Sequence, residues 1–202
     1  MLSKRISRRP VLGLLLGSAT AASLPASAWA LNDATARALV DSLVAEINSV
    51  IASGKSEAAM LKDFERLFVK YADVPIMARY SLGADARSLS PSELSQYTAA
   101  FQRYIARKYG RRFREFIGGR IEVQSARPIR AGYEVRTLAF LQGESPFEVT
   151  FLVSDKSGSD KFFNIFIEGV NMLLTERTEI GAMLDRRGGN VGQLISDLQA
   201  TS

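Results

Sequence analysis

Apolar and polar positions follow two different periods along this chain, and the change of period divides it. From Asp33 to Ser53, Leu39, Leu43 and Ile47 recur with Val40, Val44 and Ile51 at three- and four-residue spacing, which predicts a helix that Gly54 ends. Ser56 to Tyr71 predicts a second helix, with Met60, Leu61, Phe64, Leu67, Phe68 and Tyr71 on one face. Val74-Pro75 breaks it, and a short helix over Ile76 to Leu82 ends at Gly83. Ser90-Pro91-Ser92-Glu93 is a strong start signal: Ser caps, Pro fits the first helical position, and Glu three residues on closes a capping box. The long helix that follows carries Leu94, Tyr97, Phe101, Tyr104, Ile105, Tyr109, Phe113, Phe116 and Ile117, and Gly118-Gly119 stops it.

The period then falls to two. Ile121 to Ile129, Tyr133 to Leu141, Phe147 to Val153 and Phe162 to Val170 read as four strands. Phe147, Val149, Phe151 and Val153 alternate with Glu148 and Thr150, which marks one buried face. Short connections such as Ala131-Gly132 imply an antiparallel meander. Two closing helices follow, roughly Met172 to Arg186 and Val191 to Ala200, separated by Gly188-Gly189. Helices, four strands, then helices describe an α+β fold: a four-stranded antiparallel sheet with helices packed on one face.

The first 30 residues follow neither pattern. Lys4, Arg5, Arg8 and Arg9 open the chain without an acid, a short apolar run begins at Val11, and Ala28-Trp29-Ala30 closes it. A basic segment, an apolar segment and small residues together predict a cleaved export signal over 1–30, cut after Ala30 or after Ala28. Ser7-Arg8-Arg9-Pro10-Val11-Leu12 resembles a twin-arginine signal, the type used for proteins exported already folded. The apolar run is too weak for a spanning helix, which needs roughly 20 predominantly apolar residues. The expected product is a single domain over 31–202 in the bacterial periplasm.

This leader changes the reading of charge. The whole chain of 202 residues carries 26 basic and 21 acidic groups. Setting aside the four cations of the leader leaves 22 against 21, so nucleic acid has no compositional support. Cys and His are both absent from the sequence. That excludes disulfides, Cys- or His-ligated metal, a Cys nucleophile and a Ser-His-Asp triad. It favours a function that needs no reactive side chain, and the expectation is that the protein is not an enzyme. Glu134, Glu144, Glu148 and Glu168 on or beside the strands show no pairing of the kind a hydrolase needs.

Two features remain. All 11 Phe and 6 Tyr fall between Phe64 and Phe166, on inner helix faces and strands. They form either a plain core or the walls of an apolar cavity between sheet and helices. Arg103, Arg107, Lys108, Arg111, Arg112 and Arg114 lie mostly opposite the apolar stripe of the long helix. They form either a solvated helix face or a patch for acidic partners and anionic head groups.

Met77-Ala78-Arg79-Tyr80-Ser81-Leu82-Gly83, continuing through Arg87, Ser90-Pro91, Phe101 and Tyr109, is one distinctive segment. Lys161-Phe162-Phe163-Asn164-Ile165-Phe166-Ile167-Glu168-Gly169-Val170-Asn171, then Arg177, is another. With the element order, these resemble the MlaC family, also called toluene-tolerance proteins, periplasmic carriers of the Mla lipid-transport system. The chain departs from the family pattern at Asn164, where Asp is common, at Asn171, where Ser is common, at Asp160-Lys161, where Trp-Lys is common, and at Ala86-Arg87, where Trp-Arg is common.

The resemblance implies a carrier that holds acyl chains in an apolar cavity between sheet and helices. It would pass lipid between an outer-membrane lipoprotein complex and the lipid-binding ring of an inner-membrane ABC transporter. One branch of the family is associated with hopanoids, so the implied ligand is a phospholipid or a hopanoid-like lipid; no cofactor is implied. The expected lipid-binding residues are Phe64, Phe68, Ile76, Met77, Tyr80, Tyr97, Phe101 and Ile105 from the helices, and Phe147, Val149, Phe151, Phe163, Ile165 and Ile167 from the sheet. The sheet set takes odd-numbered residues as one face by the two-residue period. The alternative is a non-catalytic envelope interaction or assembly module with a filled core.

Overall fold

The computed structural model describes residues 31–111 and 117–200. Residues 1–30, and Arg112, Phe113, Arg114 and Phe116, which the sequence assigned to the long helix, lie outside them; among the described residues that helix ends at Gly110, and Ile117, expected within it, lies in a turn. Among the described residues, six α-helices and an antiparallel sheet of five strands in the order β1-β2-β3-β4-β5 make up an α+β fold.

The helices begin where the chain supplies acceptors for free N–H groups. In α1 (Asp33–Ile51), the Asn32 side chain accepts from Ala34 and Thr35 N–H, and Thr35 returns the bond to Asn32 N–H at 2.9 Å. Ser56 precedes α2 (Glu57–Tyr71). Val74-Pro75 does not separate two helices by a loop but opens α3 (Val74–Leu82): Pro in the first turn sacrifices no bond, and Asp73 caps Ile76 N–H. A single 3₁₀ turn at Asp85–Arg87 leads to α4 (Pro91–Gly110), whose expected Ser90–Glu93 capping box forms.

The sheet is a meander of β1 (Arg120–Ile129), β2 (Gly132–Phe140), β3 (Phe147–Ser154), β4 (Lys161–Ile167) and β5 (Val170–Asn171). The expected fourth strand is cut in two. Glu168 and Gly169, with φ of 49° and 79°, turn the chain between the paired residues Ile167 and Val170. Positive φ at both positions is what a type I′ two-residue hairpin requires, and β5 runs straight into α5 (Met172–Arg186), followed by α6 (Val191–Ala200).

Two bulges shift the face that side chains present. In β1, Val123 pairs with Thr137 but Ser125 with Arg136, so Gln124 is the extra residue. Arg37 of α1 donates to the carbonyls of Val123 and Gln124, both at 3.1 Å, and so ties α1 to the bulge. In β4, Val153 pairs with Phe162 but Leu152 with Asn164, so Phe163 is the extra residue. There Asp73 N–H donates to the Phe162 carbonyl at 2.8 Å, and Ala72 bridges Phe162 in parallel.

One sheet face is apolar: Val135 and Ala139 of β2 and Val149, Phe151 and Val153 of β3 are buried. The other face holds cross-strand ion pairs, Arg127 with Glu134 at 2.7 Å and Arg136 with Glu148. These pairs absorb two of the strand carboxylates on the outside of the sheet.

Candidate functional site

The space between sheet and helices is hollow. A cavity of about 550 Å³ opens there, with walls from α1, α2, α3, α4, the sheet and α5. Such a volume is in the range of small-molecule pockets.

Ten of the fourteen expected residues line it. Phe64, Phe68, Met77, Phe101 and Ile105 come from the helices, and Phe147, Val149, Phe151, Ile165 and Ile167 from the sheet. Four do not. Ile76 and Tyr80 share the outer stripe of α3, and are 40% and 39% exposed. Grouping them with Met77 spreads the expected face too far around the helix. Tyr97 is fully buried behind the wall, its hydroxyl 2.7 Å from Ser81 Oγ. Phe163 is the bulged residue, and Phe162 takes the place expected for it. The Phe162 ring is 3% exposed, meets Phe151 edge-on at 5.6 Å between ring centres and lies 6.2 Å from Phe68.

Leu43 and Ile47 of α1, Leu67 of α2, Ile121 of β1 and Met172 and Leu173 of α5 also line the cavity. The stripe carrying Leu43 and Ile47 was visible in the sequence; nothing there distinguished it from ordinary core.

The lining also carries polar residues. Glu144, Ser145, Tyr109, Asn164, Glu168 and Glu176 all contribute to the lining. Glu176 is 2% exposed, and Lys108 Nζ reaches it at 2.7 Å while the Tyr109 hydroxyl donates to the same oxygen. Lys108 also reaches Glu179, and the Tyr104 hydroxyl donates to Glu179 at 3.2 Å. Burial alone would pull the Lys108 ammonium down, but its hydrogen bonds to Glu176, Glu179 and Tyr104 outweigh that and hold its pKa above the ordinary value. Burial pushes the Tyr109 phenol up, and its bond to Glu176 adds to the shift. Burial likewise raises Tyr104 to about 12.

This cluster changes the picture of the basic helix face. Lys108 turns inward to α5, and Arg107 donates to the Leu198 carbonyl near the end of α6 at 2.7 Å. Of the described members, only Arg103 and Arg111 are exposed. Asp, Glu, His and Cys form no group able to hold a metal among the described residues. No helix among them is long and apolar enough to cross a membrane.

The described chain is thus an α+β protein built around a largely apolar chamber with a few polar residues in its lining. Residues 37–200 match the family model of the MlaC protein, and the chain belongs to that family. The fold is also similar to that of a phospholipid-binding protein from Ralstonia solanacearum, solved in complex with a phospholipid. The two superpose with a TM-score of 0.69 at 20% identity, over 81% of this chain and 94% of the other.

Proposed function

We propose that this protein is a periplasmic lipid carrier that sequesters acyl chains in the chamber between sheet and helices. The observation that carries the reading is the 550 Å³ cavity walled by Phe, Ile, Leu, Val and Met. Family membership and the lipid complex of the Ralstonia relative support it. Exposing a chain to water costs about 0.8 kcal/mol per CH₂, so a lipid with long tails does not cross an aqueous gap quickly by itself. A cavity that replaces water with apolar side chains lowers that barrier.

In this reading the first 30 residues are a removed export signal of twin-arginine type and 31–202 form the carrier domain. The cargo is a phospholipid or a hopanoid-like lipid. The ten expected residues on the cavity wall, with Phe162, hold its apolar part, while the polar lining residues Glu144, Glu168 and Glu176 receive its head. The carrier exchanges lipid with an outer-membrane lipoprotein complex and with the lipid-binding ring of an inner-membrane ABC transporter. No step asks for a reactive side chain, so the proposed activity is transport and not catalysis.

Native mass spectrometry of the protein, purified without detergent from a bacterial envelope, tests this directly. Added mass matching a phospholipid or a hopanoid supports the carrier and names the ligand class. A bare mass that stays bare after incubation with envelope lipids would falsify it and favour an assembly module.

A further inference from the structure

The outer faces of α3 and α5 form a surface that the cavity does not use. Helical spacing places Ile76, Arg79 and Tyr80 on one stripe of α3, and Leu174 and Arg177 on one stripe of α5, with Val170 just before it. The stripes are joined: the Arg177 guanidinium lies 5.1 Å from the centre of the Tyr80 ring. It is packed so closely on Gly83 that a Cβ there would stand 2.9 Å from Arg177 Nη2. Ile76, Tyr80, Val170 and Leu174 are four of the six large apolar side chains that the described residues expose. Their clustering is therefore not scatter.

Charge says what this face suits. The arginines on the outer sheet face are matched with carboxylates, Arg127 with Glu134 and Arg136 with Glu148. Arg79 and Arg177 have no carboxylate partner among the described residues. Exposed aliphatic side chains, a tyrosine and two unmatched guanidiniums in one patch fit the boundary of a bilayer that carries anionic head groups. The apolar groups and the tyrosine ring enter the interface, and the guanidiniums stay at phosphate level. Asp85 and Glu168 stand in the neighbouring turns and keep the attraction modest.

The patch also has the right backing. Met77, next to Ile76, and Met172 and Leu173, just before Leu174, line the cavity from within. Each of these helices therefore turns one side to the chamber and the other to the patch. We propose that this face docks the protein transiently onto an anionic lipid surface. The inference rests on the carrier reading for its purpose, but not for its test.

The experiment is flotation of the protein, as recovered from the bacterial envelope, with vesicles of phosphatidylcholine alone or mixed with phosphatidylglycerol. The expected result is a bound fraction several-fold larger on the mixed vesicles. R79Q/R177Q should remove that preference, I76S/L174S should lower binding to both vesicle types, and R130Q, in the β1–β2 turn, should change neither. Failure of the wild-type protein to float with the mixed vesicles overturns the proposal, even if it is captured by an acidic protein. So does flotation of both double variants at the wild-type level. Copurifying lipid is measured on the same samples. Its absence before any vesicle is added, with flotation intact, counts against the carrier, whereas its presence without flotation counts against the docking face alone.

Discussion

Asn164 Nδ2 donates to Asn171 Oδ1 at 2.9 Å, joining β4 to the cap of α5. Both amides are held in register by the backbone. Asn164 Oδ1 accepts from Ile165 N–H at 2.8 Å and Leu173 N–H at 3.2 Å, and Asn171 Oδ1 accepts from Leu174 N–H at 3.0 Å as the cap of α5. The two side chains act as one structural unit, and Asn164 lines the cavity.

Asn164→Asp alone would therefore place a carboxylate oxygen against the Asn171 acceptor and lose a bond, a cost of about 1–3 kcal/mol. Adding Asn171→Ser restores a hydroxyl that can cap α5 and donate to the new carboxylate. The double variant should be more stable than the sum of the singles predicts, with a coupling of about 0.5–3 kcal/mol. Urea unfolding of the four proteins measures it, and strict additivity would sink the idea.

The bulge in β4 predicts an order of mutational cost. Phe162→Ala removes a ring packed on Phe151 and Phe68, and should cost about 3–5 kcal/mol. Phe163→Ala should cost less than half as much, because its side chain does not enter the chamber wall. The reverse order in chemical denaturation would show the register to be wrong.

Val149→Phe tests whether the chamber is hollow. In a filled core the added volume typically costs about 1–3 kcal/mol. Val149 lines the cavity, so the ring has space to enter and the melting temperature should change little. Bound lipid per protein, read by native mass spectrometry, should fall. A large drop in melting temperature would point to a packed interior.

Glu168 at φ 49° is the one non-glycine residue with positive φ among the described residues. That conformation costs an ordinary side chain about 1–2 kcal/mol, and Asn-Gly is the preferred pair for such a turn. Glu168→Asn should raise stability by about 0.5–1 kcal/mol. If calorimetry shows no gain, the carboxylate is itself making up the difference.

Alkaline pH should loosen the contact between α4 and α5. Burial raises Tyr97, Tyr104 and Tyr109 above their ordinary 10.0, with Tyr104 near 12, while hydrogen bonds to Glu176, Glu179 and Tyr104 outweigh burial and hold Lys108 above 10.5. A raised folded-state pKa means the native state holds protons that the unfolded chain releases. The associated stability is fully present below about pH 10 and is lost as pH rises through the folded values. Urea midpoints between about pH 9 and 12 should fall, and Lys108→Met should be destabilised already at neutral pH, because it leaves Glu176 buried without its cation.

The periodicities were enough to place each described helix and most strand boundaries, since a stripe such as Leu43 and Ile47 or the alternation from Phe147 to Val153 states its own geometry, but they carried the long helix past Gly110, where it ends, to Ile117. What they could not carry was any feature decided between strands. A two-residue period has no mark at the position where a bulge resets it, so odd numbering selected Phe163 in place of Phe162. Glu at the first position of a hairpin turn hides the break between β4 and β5, because Glu is not a residue that advertises positive φ. Nor does composition separate a stacked aromatic core from a chamber: Tyr97 and Phe101 lie four residues apart on α4, yet only Phe101 reaches the cavity.

A chamber of this size withholds from the fold the dispersion contacts that a solid interior would make. Any molecule that enters supplies them, and the melting temperature then rises with the logarithm of its free concentration. The folded chain thus has no single intrinsic stability: its resistance to heat is a gauge of what it is carrying.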